Sequence, residues 1–372
     1  MKRITLFTVM SALMVIGLVS CFSNDRSNGN GTGKQATMSV TPLPDTIKTN
    51  ASGITATPFH TKVKAENGSV TVIPLSGPIT SKDAELSGLA WAGETLVLLP
   101  QYPERFGPGD GALFAIPKSE ILDYLDGNSK RPITPSLITF VAPGVKESIK
   151  KYEGYEAIDF LDQTVYMTIE SGKNDKMMGY LVSGSVSSDL KEIRIDTSHL
   201  VKIQPAIQMD NRTDEAVVVM QDKLLTFFEI NGADLNPRPA AHVFGFDLSP
   251  KGTIPFPQLE YRVTDATLAP DGGIWVINYV APKDSDVYPT TDPLAGKYGQ
   301  GEYPDKNRQV ERLVKLNLSD EGLTLADQPP LQIPLINSPR NWEGLVLLDD
   351  RGFLLVTDKS PGTMLGFVSL PR

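Results

Sequence analysis

The sequence predicts an all-β fold, a β-propeller of five blades of four strands, whose last blade is closed by a strand from the N-terminal side. Three observations predict it. An internal repeat runs through the chain, two further β-like runs lie between successive copies, and the last copy is followed by one run too few. The copies are SGLAWAGETLVLLPQ from Ser87, EAIDFLDQTVYMTIE from Glu156, EAVVVMQDKLLTFFE from Glu215, DATLAPDGGIWVINY from Asp265 and EGLVLLDDRGFLLVTD from Glu343. Each starts with a small or acidic residue followed by Gly or Ala. An apolar run, a polar turn and a second apolar run follow, which is a hairpin signal.

The runs between copies supply the outer strands. The first interval holds ALFAI (112–116) and SLITFV (136–141), the second MGYLVSGSV (178–186) and KEIRI (191–195). The third holds HVFGFDL (242–248) and QLEYRV (258–263), the fourth RLVKLNL (312–318) and LQIPLI (331–336). After Glu343 only MLGFVSL (364–370) remains, and SVTVIPL (69–75) supplies the missing strand, which removes a free sheet edge. Six blades are the alternative, with a degenerate blade in the long interval before Glu343. Residues 281–308, rich in Asp, Pro, Gly and Tyr, read instead as a long loop and favour five.

Ahead of the propeller, Lys2 and Arg3 precede an uncharged, mostly apolar run, 4–19, as in a secretory signal. The run ends in Leu18-Val19-Ser20-Cys21, which resembles the lipobox of bacterial lipoproteins. That resemblance implies a signal peptide, 1–20, lipid on Cys21, membrane attachment and a place in the cell envelope outside the cytoplasm. Cys21 is the only cysteine, so no intrachain disulfide competes for it. Residues 21–59 carry few large apolar side chains and read as a disordered tether, which leaves 60–372 as the propeller domain, expected as a monomer. The net charge of −9 and the lack of a basic tract argue against nucleic acid as a partner.

First strands line the channel of a propeller, so the first residues of the copies, Ser87, Glu156, Glu215, Asp265 and Glu343, are expected at one height around it. Carboxylates confined together repel one another, so some keep protons or a cation sits among them. An all-oxygen set suits a hard cation, Ca2+ before Mg2+, with the shorter Asp265 bound through water or protonated.

The contexts ELSGLAW, YEGYEAIDF, DEAVVV, DATLAP and NWEGLVL make the ring similar to that of the calcium-dependent apyrases. In that family a Ser, Glu, Glu, Ser, Glu series holds a central calcium. The resemblance implies the same role for the five residues here, with Asp265 replacing a serine. The apyrases carry an Asp-Asp-Arg stretch where this chain reads Leu-Pro-Gln-Tyr-Pro-Glu-Arg, 99–105, so the ring is expected without that nucleotide-handling machinery. The ELSGL and EGL phrases also resemble phytase-like or esterase-like propeller domains.

Second strands return to the mouth where the ring lies. Their last residues, Gln101, Glu170, Glu229, Asn278 and Asp358, are expected there. So are Lys150, Lys151, Arg212, Arg262 and Arg340, and the 281–308 loop with Tyr288, Tyr298 and Tyr303 as a lid. Two function classes follow. One is a calcium-binding propeller whose mouth takes an anionic small molecule or a glycan. The other is a metal-dependent hydrolase of phosphoanhydride, phosphoester or ester substrates. No G-x-S-x-G elbow, paired cysteines or phosphate-binding loop supports other chemistry, and the three histidines, His60, His199 and His242, lie in unrelated contexts.

Overall fold

A computed structural model describes residues 68–298 apart from 288 and 290, and residues 309–370 apart from 360. The signal, Cys21, the tether and the lid residues Tyr288 and Tyr303 lie outside the described residues.

Strand β1 (Val70–Ile73) comes first. A meander follows of β2 (Leu86–Ala92), β3 (Thr95–Pro100), β4 (Ala112–Pro117) and β5 (Ser136–Val141). The next is β6 (Tyr152–Leu161), β7 (Thr164–Ser171), β8 (Met178–Val186) and β9 (Glu192–Ile195), with β10 (Val201–Ile203) added along β8. Then come β11 (Asp214–Val219), β12 (Leu224–Phe228), the two-residue β13 (Ile230–Asn231), β14 (Ala240–Phe244) and β15 (Pro250–Pro255). Of these, β11, β12, β14 and β15 form a sheet, whereas β13 pairs with the following β16 (Leu259–Leu268). That strand starts the meander completed by β17 (Ile274–Val280), β18 (Val310–Ser319) and β19 (Gly322–Leu325), and the short β20 (Leu331–Gln332) lies on β18. The last sheet has β21 (Trp342–Leu348), β22 (Gly352–Thr357), β23 (Leu365–Ser369) and finally β1, antiparallel to β23.

The first strands of these meanders pack in a closed ring: β2 on β6, β6 on β11, β11 on β16, β16 on β21, and β21 back on β2. Apolar layers fill the gaps between neighbouring sheets. Val97 and Leu113 meet Val165 and Met167. Tyr166 and Leu181 meet Val217 and Leu224. Ala216 and Phe227 meet Val276 and Val314. Trp275 and Ile277 meet Leu345 and Phe353. Leu354 and Val356 close the circle on Leu89 and Leu96. Second strands are buried on both faces, which is why TLVLLP and IWVINYV read as continuous apolar runs rather than alternating ones. The fold is all-β and of the propeller type.

Two outer strands differ from expectation. QLEYRV is no outer strand: it is the leading half of β16, and the outer strand is β15, PKGTIP. That segment is exposed along nearly all its length, so nothing selects for an apolar period in it. Likewise the outer partner of β18 is β19, reached by a tight turn at 320–321, and only Leu331–Gln332 of LQIPLI pairs, at the other end of β18. The three tryptophans pack between or beside blades as expected. Trp275 meets Phe353 edge-on at 5.1 Å, Trp342 is fully buried, and Trp91 donates its indole N–H to the Leu347 carbonyl at 2.7 Å.

Candidate functional site

Every predicted ring residue falls in a β-bulge. Pairing between first and second strands skips between Leu86 and Gly88, Tyr155 and Ala157, Asp214 and Ala216, Val263 and Ala266, and Trp342 and Gly344. The skipped residues are Ser87, Glu156, Glu215, Thr264 with Asp265, and Glu343. A bulge re-aims one side chain without ending the strand. At the two glycines that follow Ser87 and Glu343 neighbouring first strands come close: a Cβ on Gly88 would lie 3.2 Å from Ile158 Cγ2, and one on Gly344 2.8 Å from Leu89 Cγ.

The five side chains do not share one role. Asp265 is a strap. Its Oδ1 accepts the Ala266 amide at 2.8 Å, its Oδ2 accepts the Leu345 amide at 2.7 Å, and the Leu89 amide also bonds to it. It thereby ties β16 to β21 and β2. Burial pushes its pKa well up, against the pull of these amides. Glu156 instead meets Gln101 at the end of a second strand, Glu215 and Glu343 meet Arg262, and Ser87 is buried.

Residues at the second-strand ends do gather at the mouth. Gln101 donates through Nε2 to Glu156 Oε1 at 2.9 Å. Its carbonyl takes the Tyr155 amide at 2.9 Å, and a Cβ on Gly154 would come within 2.7 Å of that carbonyl oxygen, so the positive φ of Gly154 has a steric reason. Glu170 Oε2 accepts the Thr213 hydroxyl at 3.1 Å. Asp358 takes Asn341 Nδ2 at 3.2 Å on Oδ2, and no donor bonds its buried Oδ1. Asn278 is a clamp: it donates to the Glu260 and Arg262 carbonyls and accepts from Arg312 Nε at 2.7 Å.

Of the basic residues, Arg262 goes to the centre. It is 5 % exposed. Its Nη2 lies 3.5 Å from Glu215 Oε2 and 3.3 Å from Glu343 Oε1, its Nη1 lies 3.2 Å from Asn341 Oδ1, and its Nε bonds Glu229 Oε1. Arg212 pairs with the other Glu229 oxygen at 3.3 Å. Arg340 turns away into a second buried network, where its Nε and the Trp342 indole both bond Glu311 Oε2, at 2.8 and 2.7 Å. Lys150 and Lys151 are exposed.

The carboxylates Glu156, Glu170, Glu215, Glu229, Glu343 and Asp358 thus outnumber the guanidinium groups of Arg212 and Arg262. Burial, followed by the charge of Glu170, pushes Glu156 well above the usual range. Burial and then Glu229 push Glu170 up to about 8, and burial and then Asp358 push Glu343 up to about 8. Glu215 rises for the same reasons although Arg262 pulls against it. Crowding of this kind favours carboxyl groups that share protons.

The expected calcium ring does not fit as a set. Asp265 has spent its oxygens on backbone amides, Arg262 stands between Glu215 and Glu343, and among the described residues no group of three or more Asp, Glu, His or Cys side chains is arranged to hold a metal ion. The expected lid is also partly structured. Residues Pro293–Tyr298 form a short helix whose first amides are capped by Asp292, and Asp292 pairs with Arg312 of β18 at 2.9 Å. Tyr298 donates to Asp327 rather than reaching the ring.

No protein-family profile and no curated sequence matches the chain. Among solved structures it is similar to a glucose dehydrogenase, at 13% identity and a TM-score of 0.42 over 81% of this chain and 99% of that one. It is also similar to a Cellvibrio cellulosa α-L-arabinanase, at 11% identity and a TM-score of 0.40 over 74% and 88% of the two chains. A mannose phosphorylase from Leishmania mexicana matches at 14% identity and a TM-score of 0.40 over 83% and 88%. These are likenesses of shape at identities too low to carry chemistry.

Proposed function

We propose that this chain is a five-bladed propeller lipoprotein, held at the cell envelope through Cys21, whose acidic mouth binds a neutral, hydroxyl-rich ligand such as a glycan. Five blades are supported by five meanders, each sharing an apolar layer with the next, around a ring of first strands. The envelope anchor rests on the Leu18–Cys21 sequence alone, and Cys21→Ser is expected to move the chain from the membrane fraction to the soluble fraction.

The observation that carries the ligand class is the charge balance at the mouth. Each mouth arginine is already matched to carboxylates: Arg212 to Glu229, Arg262 to Glu215, Glu229 and Glu343. Among the described residues these two arginines are not free to meet a phosphate or a carboxylated ligand, and Glu156 and Glu170, which neither arginine bridges, would repel one. Hydroxyl groups, in contrast, can donate to ionised carboxylates and accept from protonated ones, beside the amide of Gln101. Tyr102 and Tyr152 stand edge to face at 6.2 Å next to Glu156, an aromatic flank with Arg105 stacked 4.1 Å from the Tyr102 centroid.

A hydrolytic version of this reading is favoured by one feature. Burial and then Glu229 push the Glu170 carboxyl up to about 8, which suits it to donate a proton in cleavage of a glycosidic bond.

Calorimetric titration of the full-length chain with neutral oligosaccharides and, separately, with nucleotides and inositol phosphates tests the ligand class. Oligosaccharide binding is expected, weakened about tenfold or more in Glu156→Gln. Binding of the phosphorylated compounds with none of the oligosaccharides would overturn the reading.

A further inference from the structure

Arg262 has the coordination environment of a central ion rather than that of a ligand-binding side chain. A guanidinium has five N–H donors and no acceptor. Here every nitrogen faces oxygen: Nε meets Glu229, Nη1 meets Asn341 at 3.2 Å with Asp284 at 3.9 Å, and Nη2 meets Glu215 at 3.5 Å and Glu343 at 3.3 Å. These partners come from separate parts of the ring. Glu215 and Glu229 belong to the β11–β12 hairpin, Asp284 to the segment after β17, and Asn341 and Glu343 to the start of β21. The ring of Tyr279 covers one side, its centroid 5.7 Å from the guanidinium carbon.

The backbone is shaped for this placement. Tyr261, just before Arg262, has a φ of 70°, a region a bulky side chain rarely enters, and the neighbouring pairing with β13 is bulged. The two carbonyls on either side of Tyr261, those of Glu260 and Arg262, are both held by Asn278. A residue delivered into a ring of acids by a strained, clamped backbone is a built feature and not a surface charge that has folded inward.

We propose that Arg262 is a tethered substitute for a central metal ion: it cross-links the strands around the channel that a bound cation would otherwise join, and so makes the ring independent of metal. Buried ion pairs are costly to break, because the surviving charges stay desolvated and uncompensated. Removing Arg262 leaves Glu215, Glu229 and Glu343 in that state, with their carboxylate oxygens around the opening beside the Tyr279 ring, and carboxylate oxygen is the ligand a hard cation prefers.

Thermal unfolding of the full-length chain tests this, in chelator and in millimolar calcium chloride. The wild type is expected to melt at the same temperature in both. Arg262→Met is expected to melt roughly 5–10 °C lower in chelator, and to regain part of that loss in calcium. Arg262→Lys, which keeps the charge, is expected to lie between them without a calcium response. Where Arg262→Met fails to fold in chelator, Arg262→Met combined with Glu215→Gln decides, since removing a stranded carboxylate is expected to restore folding in part. Calcium stabilisation of the wild type, a wild-type melting temperature for Arg262→Met in chelator, or no gain from the added Glu215→Gln would each overturn the proposal.

Discussion

Asp265→Ala is expected to destabilise the fold by about 3–5 kcal/mol. The reason is the number of donors that lose their acceptor. Asp265 is 2 % exposed and takes amides from its own strand, from Leu345 on β21 and from Leu89 on β2. A buried amide without an acceptor costs about 1–3 kcal/mol, and alanine supplies none. Asp265→Asn keeps one acceptor but turns an N–H2 group toward other donors, so it is expected to recover less than half of the loss. Urea unfolding measures both. An Asp265→Ala variant as stable as wild type would mean that the strap does not hold these strands together.

Stability is expected to fall as pH rises from about 5 to about 8, by a few kcal/mol in total. Glu170 and Glu343 have folded-state pKa values pushed up to about 8, from an ordinary value near 4.5. A carboxyl group whose pKa is higher in the folded chain binds its proton more tightly there. The stability it contributes is therefore complete below the unfolded pKa and lost as pH climbs through the folded one. Asp159, pushed to about 6 by burial, adds to the early part of this slope. His242 acts in the same direction: burial works against its charge, but Asp214, 2.9 Å from its Nδ1, outweighs that and raises its pKa, so its contribution too disappears with rising pH. Urea unfolding across this range should give a flatter profile for Glu170→Gln than for wild type. A profile that rises toward pH 8 would contradict the electrostatic description of the mouth.

Much of the architecture is legible because the repeat carries both its pattern and its register. Hairpins such as β2–β3 and β21–β22 show an apolar run, a polar turn and a second apolar run, and the missing final strand points to β1. The outer strand β15 escapes because an exposed strand such as PKGTIP has no buried face to impose a period, and β19 escapes because four residues are too few to show one. The site follows the same division. Repeat register places the acidic residues at a common height, since a bulge at the same point of each first strand directs them alike. Their destinations are not written there. Asp265 and Glu215 occupy equivalent positions, yet the shorter side chain reaches backbone amides and the longer one reaches the mouth. Arginine occurs three residues before the ring residue in three copies, as Arg212, Arg262 and Arg340, and this was the available signal for a cation. Which of them enters the ring depends on the left-handed turn at Tyr261 and on Glu311, which captures Arg340. Neither can be read from spacing.

The same proton-holding carboxyls can be seen directly by infrared titration of the full-length chain across the carboxylic-acid carbonyl band. Carboxylates in excess of the mouth arginines are expected to leave a protonated carboxyl signal at pH 7 that fades only near pH 8, and that weakens in both Glu170→Gln and Glu343→Gln. A wild-type spectrum with no protonated carboxyl at pH 7 would mean that the mouth is fully ionised, and the account of an acid-loaded site balanced by Arg262 would not stand.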